Sequence, residues 1–242
     1  MSDMQGKTAL VTGAAGGIGQ AIVTALQAQG VTVTGADLAA SNADHVLTGD
    51  LMDAAFCDSL PARAAEAMGR LDILVNNAGI ITRGKITEAT DQDFARSMAI
   101  NVEAPFRLCR AAIPLMAEAG QGAIVNVASC WGVHPGPNHP VYVMSKAAVA
   151  SLTQCLGIDH AHQNIRVNAV CPNEVNTPMI RTGFATRGLD PDKAIDALNA
   201  SVPLGRIAEP EDIADVVVFL ASDQARYLCG ALIEANGGKS VQ

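Results

Sequence analysis

Short apolar runs alternate along the chain with stretches whose apolar residues recur every three to four positions. Runs of strand length lie at 7–12, 31–35, 45–48, 71–75, 123–127, 165–170 and 231–234. Between the first two, Ile18, Ile22, Val23 and Leu26 share one face of a helix over 17–29, which Gly30 stops. Further helices are predicted over 53–68, where Pro61 kinks or splits the element, and over 91–119, where Pro105 and Pro114 bend it. Helical periodicity returns at 141–162 and 211–221, whereas 172–203 reads as irregular. Little chain separates Val33 from His45, so that crossover is at most a single turn.

Strand–helix alternation at this spacing requires right-handed crossovers and a parallel sheet with helices on both faces. No linker, repeat or low-complexity tract interrupts it, so the expectation is an α/β, doubly wound single domain over 1–242. Composition agrees: 49% hydrophobic and 17% charged residues supply a sizeable core and argue against disorder.

The net charge of -8 excludes nucleic acid and anionic membranes as natural partners and disfavours an acidic carrier protein. Six scattered cysteines form no CxxC, so neither a disulfide framework nor a zinc site is expected, and no metal is assigned. They read as buried thiols in a reducing, cytoplasmic setting. The N-terminus has no apolar leader, and no apolar run looks long enough to span a membrane.

The sequence Thr12-Gly13-Ala14-Ala15-Gly16-Gly17-Ile18-Gly19 falls where the first strand ends and the first helix begins. Glycine permits a sharp turn and close approach of backbone to a pyrophosphate, and the helix start offers free N–H groups to the anion. Gly13, Ala15, Gly17, Ile18 and Gly19 are therefore candidate cofactor contacts. Asp37 closes the second strand, 18 residues after Gly19, where a carboxylate accepts hydrogen bonds from an adenosine ribose and repels a 2′-phosphate. No Arg or Lys follows until Arg63, which selects NAD over NADP; the alternative for Asp37 is a helix cap. Asp50 and the Leu51 N–H are placed to meet the adenine, although a cap suits Asp50 equally well.

Tyr142 and Lys146 stand four apart at the start of a helix and share a face. A phenol with a pKa near 10 is a poor proton carrier at neutral pH, and a neighbouring ammonium lowers that value. Ser129 follows the fifth strand, at the carboxyl edge where doubly wound folds place their sites, and its hydroxyl can hold a substrate oxygen beside the tyrosine. Asn76-Asn77-Ala78-Gly79 follows the fourth strand at the same edge, and Asn101 interrupts a helical stretch. Alone, Ser129 and Asn101 fit capping or structural roles as well as functional ones.

Together these features resemble the short-chain dehydrogenase/reductase family from Gly6 to Gly238: TGAAGGIG at 12–19, NNAG at 76–79, Asn101, Ser129, and YVMSK at 142–146. The resemblance implies a Rossmann-like sheet of seven parallel strands and a homotetramer or dimer. It implies that Tyr142 is the general acid/base, that Lys146 lowers its pKa and binds the nicotinamide ribose, and that Ser129 polarises the reacting oxygen. Asn101 would hold a water in a proton relay. Asn77, Ala78 and Gly79 would border the cofactor, and Val175 and Thr177 would meet the carboxamide. Two positions depart from the pattern: Asn173 replaces glycine, a change Asn tolerates if φ is positive, and Asn236 replaces aspartate.

The segment Cys130-Trp131-Gly132-Val133-His134-Pro135-Gly136-Pro137-Asn138-His139-Pro140 joins serine to tyrosine and is expected to line the substrate pocket through Trp131, His134, Asn138 and His139. The stretch 173–201 reads as a substrate-binding lid loop carrying Arg181 and Arg187. The expected substrate is small and polar: a polyol, sugar derivative or hydroxy acid whose hydroxyls meet Asn138, His139, Asn173 and Glu174. An acidic group would meet Arg181, or else Arg83. Two other readings stand beside an NAD-dependent dehydrogenase. One is a ketoacyl-thioester reductase, suggested by Pro203-Leu204-Gly205-Arg206; the other is a non-catalytic NAD-binding regulator.

Overall fold

The computed structural model describes residues 4–239. Its centre is a seven-stranded sheet in the order β3-β2-β1-β4-β5-β6-β7, every pair parallel. The strands are β1 (Thr8–Thr12), β2 (Thr32–Asp37), β3 (His45–Thr48), β4 (Ile73–Asn76), β5 (Gly122–Val127), β6 (Ile165–Pro172) and β7 (Leu232–Ala235). Each predicted strand is present, with ends moved by one or two residues.

Alternate residues of the central strands face opposite layers. Ala9 and Val11 of β1, with Val75 and Val125, pack against Ile22 and Leu26 of α1 (Gly17–Ala28) and Val217 and Leu220 of α9 (Pro210–Ala221). Leu10, Leu74 and Ile124 pack on the other side against Leu60 of α2 (Ala54–Met68) and Leu108 and Met116 of α4 (Ala104–Glu118). Burying such side chains contributes about 1.5–3 kcal/mol apiece, which is why these strands read as continuous apolar runs. Pro61 sits inside α2 without splitting it. The link from β2 to β3 holds only bends, as its length dictates.

The stretch 91–119 is interrupted, but not at its prolines. α3 (Asp91–Met98) gives way to a π-helical turn at Ala99–Glu103, and α4 then continues through Pro114. Asn101 lies at the centre of the π turn and is buried.

The reading of 173–201 as an irregular loop is corrected. It holds α7 (Pro178–Ala185) and α8 (Pro191–Ser201), each begun by a proline whose missing N–H costs nothing at a helix start. Asp190 caps α8 by accepting the Asp192 N–H at 3.0 Å. Phe184 and Ile195 join Val202 and Ile207 in a small core of their own, which holds the pair of helices together. A further turn, α5 (Cys130–Val133), begins at Ser129 and precedes α6 (Pro140–His160).

The expectation that no segment is long and apolar enough to cross a membrane fails for Pro140–Gln163, which meets both criteria. That helix packs on β6 and β5 and carries buried Ser145, Lys146 and Thr153, so it is a core helix of this fold. Of the six cysteines, Cys57, Cys109, Cys130 and Cys171 are buried, while Cys155 and Cys229 are exposed. Burial pushes the Cys109 thiol up to about 12, which keeps it protonated and unreactive.

Candidate active site

Strand order reverses between β1 and β4, which opens a crevice at the carboxyl edge. Gly13 turns the chain there with φ of 65°. A Cβ on Gly19 would stand 1.9 Å from the Gly13 carbonyl oxygen, so this turn closes only with glycine at 19. Asn77 fastens it: its Nδ2 donates to the carbonyls of Thr12 (3.0 Å) and Gly13 (3.1 Å). Asn77, expected to border a cofactor, is thus also the brace of the glycine turn. The Ala78 N–H donates to the Thr12 hydroxyl, with Ala78 Cα 2.8 Å from a would-be Gly13 Cβ.

Asp37 Oδ2 accepts the Ala15 N–H at 3.0 Å and Oδ1 accepts the Leu38 N–H at 2.7 Å. No helix follows β2, so the helix-cap alternative lapses, and the carboxylate stands beside the glycine turn. Asp50 accepts the Met52 N–H at 2.9 Å in the turn after β3, next to Leu51. The cap of α2 is instead Asp53, which accepts from Ala55.

A cleft of about 330 Å³ runs from Ile18 along the carboxyl ends of β4, β5 and β6. Gly79, Ser129, Tyr142, Lys146, Val175 and Thr177 all line it. A Cβ on Gly17 would lie 3.2 Å from Thr177, so the glycine turn and the start of α7 already touch. The elements fit a dinucleotide: a glycine turn at a helix start, a carboxylate flanking it and a cleft leading from it to a tyrosine.

Lys146 is buried, and its ammonium donates to the Val127 carbonyl at 2.8 Å, 6.0 Å from the Tyr142 ring centre. Burial pushes its pKa down to about 8. Burial also pushes the Tyr142 phenol above its usual value, against the opposing pull of the Ser129 hydroxyl and the Arg83 cation. For Tyr142 desolvation outweighs the charges and hydrogen bond that favour the phenolate. Ser129 accepts the Trp131 N–H at 3.1 Å, so it caps α5 while facing the cleft.

Asn101 is tied on both sides. Its Oδ1 accepts the Ile80 N–H at 2.9 Å, and its Nδ2 donates to the Ile80 carbonyl and the Ser145 hydroxyl, each at 2.9 Å. Ser145 in turn donates to the Tyr142 carbonyl at 2.7 Å. The amide therefore locks the loop after NNAG to the helix of the tyrosine. No motif marks Ile80 or Ser145 as its partners.

The expected substrate residues divide. Trp131, His139, Asn173 and Glu174 line the cleft. His139 lies 4.5 Å centre-to-centre from the Trp131 ring, which meets Tyr142 edge-on at 6.4 Å. His134 points elsewhere and meets Glu234 at 3.0 Å, and Asn138 is exposed in a left-handed turn whose carbonyl accepts from Gly84. Arg181 lies outside the cleft, bonded to Asp192 at 2.9 Å and to Asn176, while Arg83 and Arg187 line it. Asn173 has no positive φ, so the conformational demand of the usual glycine does not arise. Glu174 is paired with Lys239 at 2.7 Å, a partner that no motif signals. Asn173 Nδ2 and Glu174 Oε2 are buried without hydrogen-bond partners among the described residues.

Comparison with known proteins agrees with this architecture. The family model described as enoyl-(acyl carrier protein) reductase matches residues 13–240. The chain is 38% identical to a 2,5-dichloro-2,5-cyclohexadiene-1,4-diol dehydrogenase of Sphingobium indicum, covering 98% of both chains. It is 34% identical to a 2-keto-3-deoxy-L-fuconate dehydrogenase of Xanthomonas campestris, covering 98% of this chain and 81% of that one. It is also 34% identical to a 3-oxoacyl-(acyl-carrier-protein) reductase of Thermotoga maritima, covering 97% and 98%. Among solved structures, the aldohexose dehydrogenase of Thermoplasma acidophilum superposes with a TM-score of 0.94 at 31% identity, covering 100% and 96%. A 3-ketoacyl-(acyl-carrier-protein) reductase of Brucella melitensis complexed with NADH gives 0.89 at 30% identity, covering 98% and 100%.

Proposed function

The chain belongs to the short-chain dehydrogenase/reductase family, and from that premise we propose an NAD-dependent dehydrogenase that interconverts a small polar secondary alcohol and its ketone. The observation that carries this reading is the meeting of Tyr142, Ser129 and Lys146 on one cleft that begins at the glycine turn. The nicotinamide cofactor supplies the hydride acceptor for oxidation and the donor for reduction. Ser129 holds the reacting oxygen, and Tyr142 takes the hydroxyl proton during oxidation or returns it during reduction. Lys146 positions the ribose. Asn101 fixes the helix of Tyr142 through Ser145, with the π turn providing the bend for any water relay. Val175 and Thr177 would flank the carboxamide, and α7 with α8 would cover the substrate.

Asp37 supports NAD. Its carboxylate beside the Ala15 N–H is a hydrogen-bond acceptor for a ribose diol and repels a phosphate at the same place. Asp37→Asn keeps an acceptor oxygen and removes the charge. The expected result is a kcat/KM ratio of NADPH to NADH that rises about tenfold or more. A native enzyme that uses both cofactors equally would refute the assignment.

The pH profile follows from the raised phenol. Oxidation needs the phenolate, so kcat/KM for the alcohol should climb about tenfold per pH unit towards the tyrosine pKa. Reduction needs the phenol and should stay level over that range, then fall above it. Rate profiles in both directions, taken on one substrate pair, check the sign; an oxidation rate independent of pH from 6 to roughly 9 contradicts it.

The ketoacyl reductases among the relatives keep a second reading in view. It requires acetoacetyl-CoA to be reduced more efficiently than small ketones, and with NADPH. The reading we favour includes a cytoplasmic homo-oligomer, dimer or tetramer. Exposed Phe94, Phe106, Met144 and Ile158 on α3, α4 and α6 suit such contacts, and the free thiols suit a reducing compartment.

A further inference from the structure

Arg83 and Arg187 bring two cations to the substrate end of the cleft. They converge over Gly183. The Arg187 Nε donates to the Gly183 carbonyl at 2.8 Å, and a Cβ on Gly183 would come within 2.4 Å of Arg83 Nη2. The Arg187 guanidinium also lies over Phe184, 5.0 Å from the ring centre. Among the described residues neither arginine has a carboxylate partner. Arg70, Arg107, Arg110, Arg181 and Arg206 are ion-paired; of the arginines without a salt bridge among the described residues, Arg83 and Arg187 are the two that line this cleft.

In a chain with a net charge of -8, two neighbouring guanidiniums left facing a cleft repel each other without compensation. The Arg83 pKa is lowered by burial first and by Arg187 second. Acidic side chains do not cancel them there: among the described residues Glu174 is the one carboxylate lining the cleft, and it is paired with Lys239. His139 packs against Trp131 on the same cleft, close enough to feel both arginines. Burial and the two cations lower its pKa, so its ring is neutral, and Nδ1 donates to the Pro137 carbonyl at 2.9 Å. Its Nε2 is then an acceptor for a substrate hydroxyl.

The geometry points to a substrate that carries a carboxylate: a small hydroxy acid or sugar acid. Its acid group seats between Arg83 and Arg187 while its carbinol carbon faces Tyr142. The planar forks of two arginines match a carboxylate in charge and in shape. The inference rests on the dehydrogenase reading above and names its substrate class.

Calorimetry on the NADH complex tests it with matched pairs: threonate against threitol, galactonate against galactitol, and 3-hydroxybutyrate against 1,3-butanediol. At least one acid should bind about tenfold tighter than its neutral counterpart. Arg83→Ala and Arg187→Ala should each weaken that acid by about tenfold to a hundredfold, and shift the neutral alcohol and NADH titrations by about threefold at most. Arg83→Lys should recover part of the loss, and Arg181→Ala should have no effect. Failure of every acid to bind, or neutral partners that bind as tightly, overturns the proposal. A hydroxyacyl-CoA that binds best and loses affinity in Arg83→Ala gives the site to a phosphate instead and overturns it too. Oxidation of neutral alcohols without any preference for acids refutes the carboxylate and spares the dehydrogenase. Acid binding without turnover by NAD⁺ does the reverse.

Discussion

Tyr142→Phe lowers kcat for alcohol oxidation by about a thousandfold and leaves KM and NADH affinity within about threefold. The substitution removes one oxygen. The ring keeps its edge-on contact with Trp131 and its place above Lys146, so the cleft retains its shape. What disappears is the hydroxyl that, in the proposed reaction, exchanges a proton with the reacting oxygen beside Ser129. His139 also lines the cleft, but it packs against Trp131, and burial together with two arginines draws it away from protonation. A loss confined to kcat separates a proton carrier from a residue that only fills space, which would shift KM and cofactor affinity together. Undiminished turnover removes the tyrosine from the chemistry and returns the chain to the non-catalytic reading.

Gly19→Ala is the second large effect, and it acts through the backbone. The added Cβ would sit 1.9 Å from the Gly13 carbonyl oxygen and 2.9 Å from Ala14 Cα. Neither is the end of a flexible side chain, so the turn itself has to shift. Strain of this kind costs about 3 kcal/mol, which lowers Tm by roughly 6–12 °C in a domain of this size. The Gly13 carbonyl is held by Asn77, so displacement there also disturbs NNAG and the end of β1. An anion cradle moved by about 1 Å loses about a hundredfold in productive binding. Thermal melts and NADH titration report the two consequences separately. A melt within one degree of the native protein, with unchanged NADH affinity, would show that the turn accepts a side chain.

Much of this was legible because buried parallel strands and their βα turns write strong local signals. β1, β4 and β5 are apolar on both faces since both faces are covered, and the glycine turn must lie where β1 meets α1. The Tyr142–Lys146 spacing needed only one helix to become a shared wall. Other features depend on where side chains reach across the fold. The π turn at Asn101 is set by bonds to Ile80 and Ser145, 21 and 44 residues away, and no periodicity encodes them. α7 and α8 are short, and their apolar residues serve a small separate core rather than a continuous stripe. Pro178, Pro191 and Asp190 were the signals available, and all three were in the sequence. The preference for Arg181 over Arg83 met the same limit: the structure puts Arg181 outside the cleft, bonded to Asp192, and Arg83 inside it.

The bond from Lys239 to Glu174 and Ser201 carries a consequence for descent by mutation. Position 239 belongs to no motif and lies beyond β7, yet it decides whether the cleft holds a neutral pair or a lone carboxylate along with the arginines. A lineage that exchanged Lys239 would face selection as though it had altered its substrate specificity, and the compensating change would arise in the cleft. Divergence of preference among descendants of such a chain can therefore begin at its tail.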